Sequence, residues 1–289
     1  MKLTSPSELK AALAPFGFSF SKSLGQNFLI DENVLNKIIA SSGADKNSGA
    51  FEIGPGAGTL TRALAESCRK AVAVEIDNRL IPVLSYTLSD FKNTKIINND
   101  IMKVDINAVL REEFGDIPVI VCANLPYYIS TPVIMKILEE CSGVKSITVM
   151  VQKEVANRMT ALPGGKDYGA LSLAVQYYTK PHIVCCAEPH CFFPQPKVSS
   201  SVVTLDVLPE PSADVLDKAL FFKIIKSAFG QRRKTLLNAL SKSPYINFRK
   251  SEIESAINSV GLPLDIRGER LSISDFANIS NHLTKEKLN

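Results

Sequence analysis

Glycines at 54, 56 and 58, a glutamate at 75, an aspartate at 100 and an Asn-Leu-Pro-Tyr run at 124–127 are the residues whose types and spacing could do chemistry. The run Phe51-Glu52-Ile53-Gly54-Pro55-Gly56-Ala57-Gly58 has glycine where a chain leaving a strand must turn sharply and let a ligand approach its backbone. A plain tight loop reads the same way, so the turn needs a second element. Glu75 ends the run AVAVEID, where a carboxylate can accept both hydroxyls of a ribose. Asp100 ends KIINND, where a carboxylate can accept from an adenine amino group. Each acid alone is equally a solvated strand end, but Gly, Glu and Asp on successive strand ends form a nucleoside constellation. A nicotinamide cofactor would want the longer G-x-G-x-x-G fingerprint for its pyrophosphate, and no His or Lys is placed for hydride chemistry. A methyl donor is favoured.

Asn124-Leu125-Pro126-Tyr127 follows the next apolar run. By itself it is a turn, since Asn and Pro both punctuate chains. Beside a methyl donor it answers a specific problem, because an aromatic exocyclic amine has its lone pair delocalised and is a poor nucleophile. The side-chain oxygen of Asn124 and the carbonyl of Leu125 can accept both N–H bonds, holding the nitrogen and favouring the positive charge that develops there. Pro126 fixes the backbone, and Tyr127 offers a face for the base, a contact of about 1–3 kcal/mol. Orientation is then the main source of catalysis. The rigid loop Cys191-Phe192-Phe193-Pro194-Gln195-Pro196 leaves two readings open: Phe192 covers the other face of an extruded base, or the two phenylalanines close the core.

The elements that must position these residues alternate. Strands are predicted at 50–53, 71–76, 95–97, 119–123 and 146–151, with helices near 58–66, 78–90, 105–114, 131–140 and 152–160. This is an α/β pattern, a mostly parallel sheet with helices on both faces. Runs at 183–186 and 200–207 suit a hairpin at the edge of the sheet. Ahead of it, Ser5-Pro6-Ser7-Glu8 predicts a helix opened by a capping box, then a turn-rich stretch over 21–31 and a helix through Val34, Leu35, Ile38 and Ile39. Beyond Pro209, Glu210 and Pro211 the periodicity is helical at 214–229, 231–241, 250–260 and 274–284. The expected division is an arm over 1–21, a nucleoside-binding domain over 22–208 and a helical domain over 209–289.

Composition narrows the partners. Hydrophobic residues at 45% and charged residues at 21% suit a globular core. No apolar run approaches the ~18 residues of a membrane helix and the start lacks a signal-peptide core, so a cytoplasmic location is expected. Six cysteines without a C-x-x-C pair read as reduced, buried thiols, and His190 beside Cys191 lacks further ligands nearby in sequence, so no metal is expected. The net charge of +4 comes entirely from residues 209–289, which hold 13 basic and 9 acidic side chains. Between Lys218 and Lys250 lie nine basic residues, among them Arg232, Arg233 and Lys234, and no acidic one. That segment is either a solvated helix face or a surface for a polyanion.

Taken together, SLGQNFLID, EIGPGAGTLT, ANLPYYIST, VQKEVANRM, YGALSLAVQYY, FFPQPKVSSSVV, FGQRRKTLLNAL and RGERLS, spread over about 21–279, resemble the KsgA-type small-subunit ribosomal RNA adenine N6,N6-dimethyltransferases. The resemblance implies a Rossmann-like class I methyltransferase fold with a small all-helical C-terminal RNA-binding domain. It implies S-adenosylmethionine held by Asn27, Leu29, Gly54, Gly56, Glu75, Asp100 and Asn124, of which Asn27 and Leu29 have no reading from physics alone. It places the target adenine against Asn124, Tyr127 and Phe192, beside the Leu125 carbonyl named above, in small-subunit ribosomal RNA of an immature 30S particle. Two adjacent adenines near the 3′ end would each receive two methyl groups. A monomer is expected, since no seam for a partner stands out. Two alternatives share much of this pattern. The large-subunit adenine methyltransferases of macrolide resistance share the donor and NLPY-like motifs, whereas FGQRRKTLLNAL and RGERLS resemble the small-subunit enzymes. A non-catalytic assembly factor would use the basic segment but have no need of Glu75, Asp100 and Asn124.

Overall fold

The computed structural model describes every residue except Lys22, Ser23, Ser142 and Asn289. The expected boundary at 21/22 and part of the turn-rich stretch over 21–31 therefore lie outside the described residues.

The strands are β1 (Phe28–Leu29), β2 (Gly49–Ile53), β3 (Lys70–Glu75), β4 (Thr94–Asn98), β5 (Val119–Asn124), β6 (Val144–Gln152), β7 (Thr179–Ala187), β8 (Phe192–Phe193) and β9 (Ser200–Val207). Seven form one sheet in the order β4-β3-β2-β5-β6-β9-β7. β2 runs parallel to both β3 and β5, and β5 parallel to β6, whereas β9 runs antiparallel to β6. β2, β3 and β5 are buried almost throughout, as strands covered on both faces must be. Chain order reverses at β2: β3 and β4 go to one side, β5 and β6 to the other. Ligands of open α/β sheets bind at such a switch point, beyond the carboxyl ends of the strands. The register pairs Ile53 with Ala123, so the glycine turn and Asn124 emerge side by side.

Helices α1 (Pro6–Leu13), α2 (Glu32–Ser42), α3 (Thr59–Ser67), α4 (Ile81–Thr87), α5 (Ile106–Phe114), α6 (Ser130–Glu140), α7 (Lys153–Thr160) and α8 (Ala170–Tyr178) precede or connect the strands. Asp31 caps α2 by accepting the Val34 N–H at 2.9 Å, and Asp105 caps α5 in the same way. The capping box expected on α1 does not form. Glu8 instead accepts the Lys2 N–H at 2.5 Å, because the chain ahead of Ser5 folds back over the helix start, and Ser5 Oγ meets Ser7 Oγ. The short pair β1–β8, separate from the main sheet, was not expected. Neither was α8, whose near-complete burial leaves no polar face and hence no amphipathic period to read.

The chain divides into two compact units, Met1–Ala156 with Pro181–Val207, and Asn157–Lys180 with Leu208–Asn289. The expected boundary at 208/209 thus assigns residues 157–180 to the wrong side. Tyr168, Leu173 and Tyr177 share a buried core with Phe221, Ile224 and Phe276, and the Tyr168 hydroxyl donates to the Leu271 carbonyl at 2.9 Å. Residues 1–21 belong to the first unit, with Leu3, Leu9 and Leu13 in one cluster with Phe28 and Leu84. The second unit adds α9 (Lys218–Gly230), α10 (Leu236–Ser241), α11 (Lys250–Ser259) and α12 (Ile273–Leu288), with Asp217 capping α9. Among the described residues no helix is long and apolar enough to cross a membrane.

Candidate active site

A cavity, open to solvent, lies over the carboxyl ends of β2, β3 and β5. Asn27, Leu29, Gly54, Gly56, Glu75, Asp100, Asn124, Leu125 and Tyr127 all line it. Gly54 and Gly56 have φ of +72° and +58°, the left-handed region that only glycine enters freely. At Gly56 the need is double, because an added Cβ would sit 2.9 Å from the Phe28 ring.

Glu75 closes β3 and is only 5% exposed. Burial pushes its carboxyl above the usual range, while the N–H groups of Asp77 (2.8 Å to Oε1) and Gly56 (3.2 Å to Oε2) pull it back. Each oxygen keeps a second lone pair, enough to accept two hydroxyls. Asp77 is itself held: the Arg79 guanidinium bonds it at 2.6 Å and keeps its carboxyl below the usual range, and Gln26 donates to it at 2.7 Å. Gln26 also accepts the Ser21 N–H at 2.8 Å. This chain of bonds seats the segment carrying Asn27 and Leu29 on the cavity. Asp100 is half-buried in the turn after β4, its Oδ1 accepting the Met102 N–H at 2.9 Å.

Asn124 is the last residue of β5, and its Nδ2 donates to the Asn27 carbonyl at 2.9 Å. With the nitrogen committed, Oδ1 remains as the acceptor. The Leu125 N–H is anchored to the Met150 carbonyl at 3.1 Å, and no hydrogen bond to the Leu125 carbonyl is found among the described residues. Tyr127 is pinned by a 2.7 Å bond between its hydroxyl and Ser200 Oγ, at the start of β9. Two acceptors and an aromatic ring therefore adjoin a carboxylate-lined nucleoside slot.

A glycine turn, acidic strand ends and a clamped amide at the switch point of a parallel sheet define a Rossmann-like methyltransferase that uses S-adenosylmethionine. Residues 17–285 match the model of the ribosomal RNA adenine dimethylase family, and the chain belongs to that family. It is 49% identical over 285 residues to the ribosomal RNA small subunit methyltransferase A of Alkaliphilus metalliredigens, covering 99% of this chain and 98% of that one. The protein of the same description from Clostridioides difficile is 49% identical over 280 residues, covering 97% and 96%. A dimethyladenosine transferase from Plasmodium falciparum superposes with a TM-score of 0.75 at 24% identity, over 90% of this chain and 98% of that one. The 23S rRNA methyltransferase ErmE gives 0.67 at 23%, over 89% and 100%. These two likenesses concern the fold. The resemblance drawn from the motifs is borne out.

Not every expected residue reaches the cavity. Phe192 is 1% exposed, pairs through its backbone with Leu29 and lies in a core cluster with Val34, Ile38 and Met150. It does not line the cavity. Of the two readings left open by the sequence, core closure is the one this conformation supports, because a ring buried on all sides has no face to offer a base. Arg232, Arg233 and Lys234 are exposed in the second unit, between α9 and α10. Arg232 is partly committed, donating to the carbonyls of Lys166 at 2.9 Å and Tyr168 at 3.4 Å. Folding also brings Asp31 to His190 and Cys191, the one group of three such side chains among the described residues, with donor atoms within 4.8 Å of one another. Sequence spacing had left that pair without a companion. Asp31 is already engaged there, one oxygen on the Val34 N–H and the other accepting from the Cys191 thiol at 3.7 Å. Cys68, Cys122 and Cys191 are buried as expected, whereas Cys186 is exposed, and all six are free thiols.

One wall residue has no signal in the sequence beyond its place ahead of the glycine turn. Glu52 lies inside β2, 1% exposed, with Oε2 lacking any hydrogen-bond partner, and burial pushes its carboxyl up to about 8. An orphaned carboxylate oxygen on this wall fits the ammonium of a methionine-derived cofactor. Burial, with the Glu75 charge adding to it and the Thr61 hydroxyl opposing it, shifts ionisation of this carboxyl toward pH 8. Donor affinity should therefore strengthen from pH 6 to 8, by no more than tenfold per unit, and then level off. Calorimetric titration with S-adenosylhomocysteine, which has the same amino-acid end, checks this. Glu52→Gln should flatten the profile, and an unchanged slope in that variant would remove Glu52 from the binding site.

Proposed function

We propose that the protein transfers methyl groups to the N6 amines of two adjacent adenines in the hairpin loop near the 3′ end of small-subunit ribosomal RNA. Each adenine receives two methyl groups during assembly of the 30S particle in the cytoplasm. The observation that carries this reading is the clamp on Asn124: its amide nitrogen is spent on Asn27, leaving Oδ1 and the Leu125 carbonyl to receive the two hydrogens of an exocyclic amine.

Bound in the cavity, S-adenosylmethionine supplies a methyl group already activated on a sulfonium. The chain's own residues then bind and orient. Glu75 receives the ribose hydroxyls, Asp100 the adenine amino group, and the backbone at Gly54 and Gly56 approaches the donor closely. Leu29 and Asn27 close the slot from the N-terminal segment. Asn124 Oδ1 and the Leu125 carbonyl align the target nitrogen and favour its developing charge, while Tyr127, held by Ser200, stacks on the extruded base. As the N–CH3 bond forms the S–CH3 bond of the sulfonium breaks, and once the nitrogen releases a proton to solvent a single N–H remains, so the two acceptors cannot both keep their bonds and the amine must reposition for the second. Arg232, Arg233 and Lys234 provide phosphate contacts, which position RNA without reading its sequence.

The test is incubation of unmethylated small subunits with radiolabelled donor, followed by mapping of the modified nucleotides. Label is expected on two neighbouring adenines, up to four methyl groups per RNA. Label in large-subunit RNA, or saturable binding without label, would overturn the reading.

A further inference from the structure

Tyr128 stands apart from its neighbours. Tyr127 commits its hydroxyl to Ser200, and Leu125 is buried, yet Tyr128 is 60% exposed, more than any other aromatic among the exposed large apolar side chains. It is also on the wall of the donor cavity. One side of the ring rests on the N-terminal segment, since a Cβ built on Gly25 would lie 3.5 and 3.6 Å from Tyr128 Cδ1 and Cε1. Gly25 has φ of +58°, so the backbone there approaches the ring without a side chain between. The ring is thus supported behind and open in front, at the mouth of the slot. Exposing that much aromatic surface beside a cavity has a cost that a stacking partner would recover.

An adenine can reach Asn124 only by leaving its stack, and its neighbour in the strand must then stay within one backbone step of the slot. Tyr128 lines the same cavity as Asn124 and Tyr127, which puts its exposed ring within reach of that neighbouring nucleotide. We propose that Tyr128 is the platform on which the nucleobase adjoining the target adenine stacks, an inference that rests on the functional reading above. Stacking on a π-face tolerates any base, so the same platform serves whichever of two adjacent adenines is in the slot.

The experiment compares Tyr128→Ala and Tyr128→Phe with the unaltered enzyme on unmethylated small subunits, measuring KM for the subunit and, separately, affinity for S-adenosylhomocysteine. Tyr128→Ala is expected to raise the subunit KM about 5- to 10-fold. Tyr128→Phe should stay within twofold of the unaltered enzyme, because the ring and not the hydroxyl carries the contact, and affinity for S-adenosylhomocysteine should hold in both. An unchanged subunit KM in Tyr128→Ala overturns the proposal, as does equal damage from Phe and Ala. A KM rise matched by an equal loss of S-adenosylhomocysteine affinity also overturns it, by assigning the ring to the donor. If the unaltered enzyme places no label in small-subunit RNA, the functional reading itself fails, a result distinct from all of these.

Discussion

Asn124→Ala is expected to lower methyl transfer about 10²- to 10³-fold, the loss seen when one preorganised polar partner of a charge-developing centre is removed. The argument rests on orientation. The Asn27 carbonyl fixes the amide nitrogen of Asn124 at 2.9 Å, so Oδ1 is set before substrate arrives and nothing has to reorganise during transfer. Asn124→Asp separates the two halves of that statement. It keeps an acceptor but faces the Asn27 carbonyl with a carboxylate oxygen, so part of the activity should survive with poorer positioning. Single-turnover incorporation of labelled methyl, with a thermal melt to verify folding, reads both variants. Turnover of Asn124→Ala within fivefold of the unaltered enzyme would take the residue out of the mechanism.

The second large effect falls on donor binding. Glu75→Ala removes the proposed acceptor of the two ribose hydroxyls and also the partner of the Gly56 and Asp77 N–H groups. Bonds to a charged acceptor contribute about 1.5–3 kcal/mol each, so the Kd for S-adenosylhomocysteine should rise about 100-fold or more. Glu75→Gln retains one acceptor oxygen and should fall between. A Kd for Glu75→Ala within threefold of the unaltered protein would show that the ribose lies elsewhere. The two residues should leave different signatures: Glu75 acts chiefly on affinity for the donor, Asn124 chiefly on the rate.

The donor half of the site was legible because its signals are local. Glycine after a strand and an acid at the next strand end are readable from neighbours in sequence, and β2, β3 and β5 fall where their apolar runs predict. What escaped was long-range. Gln26 meets Asp77 across 51 positions and Asn27 meets Asn124 across 97, so nothing near SLGQNF announces their purpose. Glu52 escaped for another reason. An acid inside a strand reads as part of a motif, and only its burial without a partner reveals an unmet need. Phe192 shows the reverse case: a motif residue with a role implied by resemblance lies, in this conformation, in a core cluster. The helical unit was legible beyond residue 208 from periodicity, but the membership of 157–180 depends on which core Tyr168 and Leu173 enter, which no local pattern reveals.

The pairing of β1 with β8 bears on how the enzyme becomes competent as it is made. Asp31, two residues past β1, and Cys191, just ahead of β8, are 160 positions apart. A nascent chain displays Asn27 and Leu29 early, and Asp77 and Asn124 can hold Gln26 and Asn27, yet Phe28 and Leu29 have no strand partner until Phe192 and Phe193 have been synthesised. About two thirds of the chain must therefore be made before the β1–β8 clasp beside the cavity can close, although every residue that lines the cavity has been synthesised by Val133.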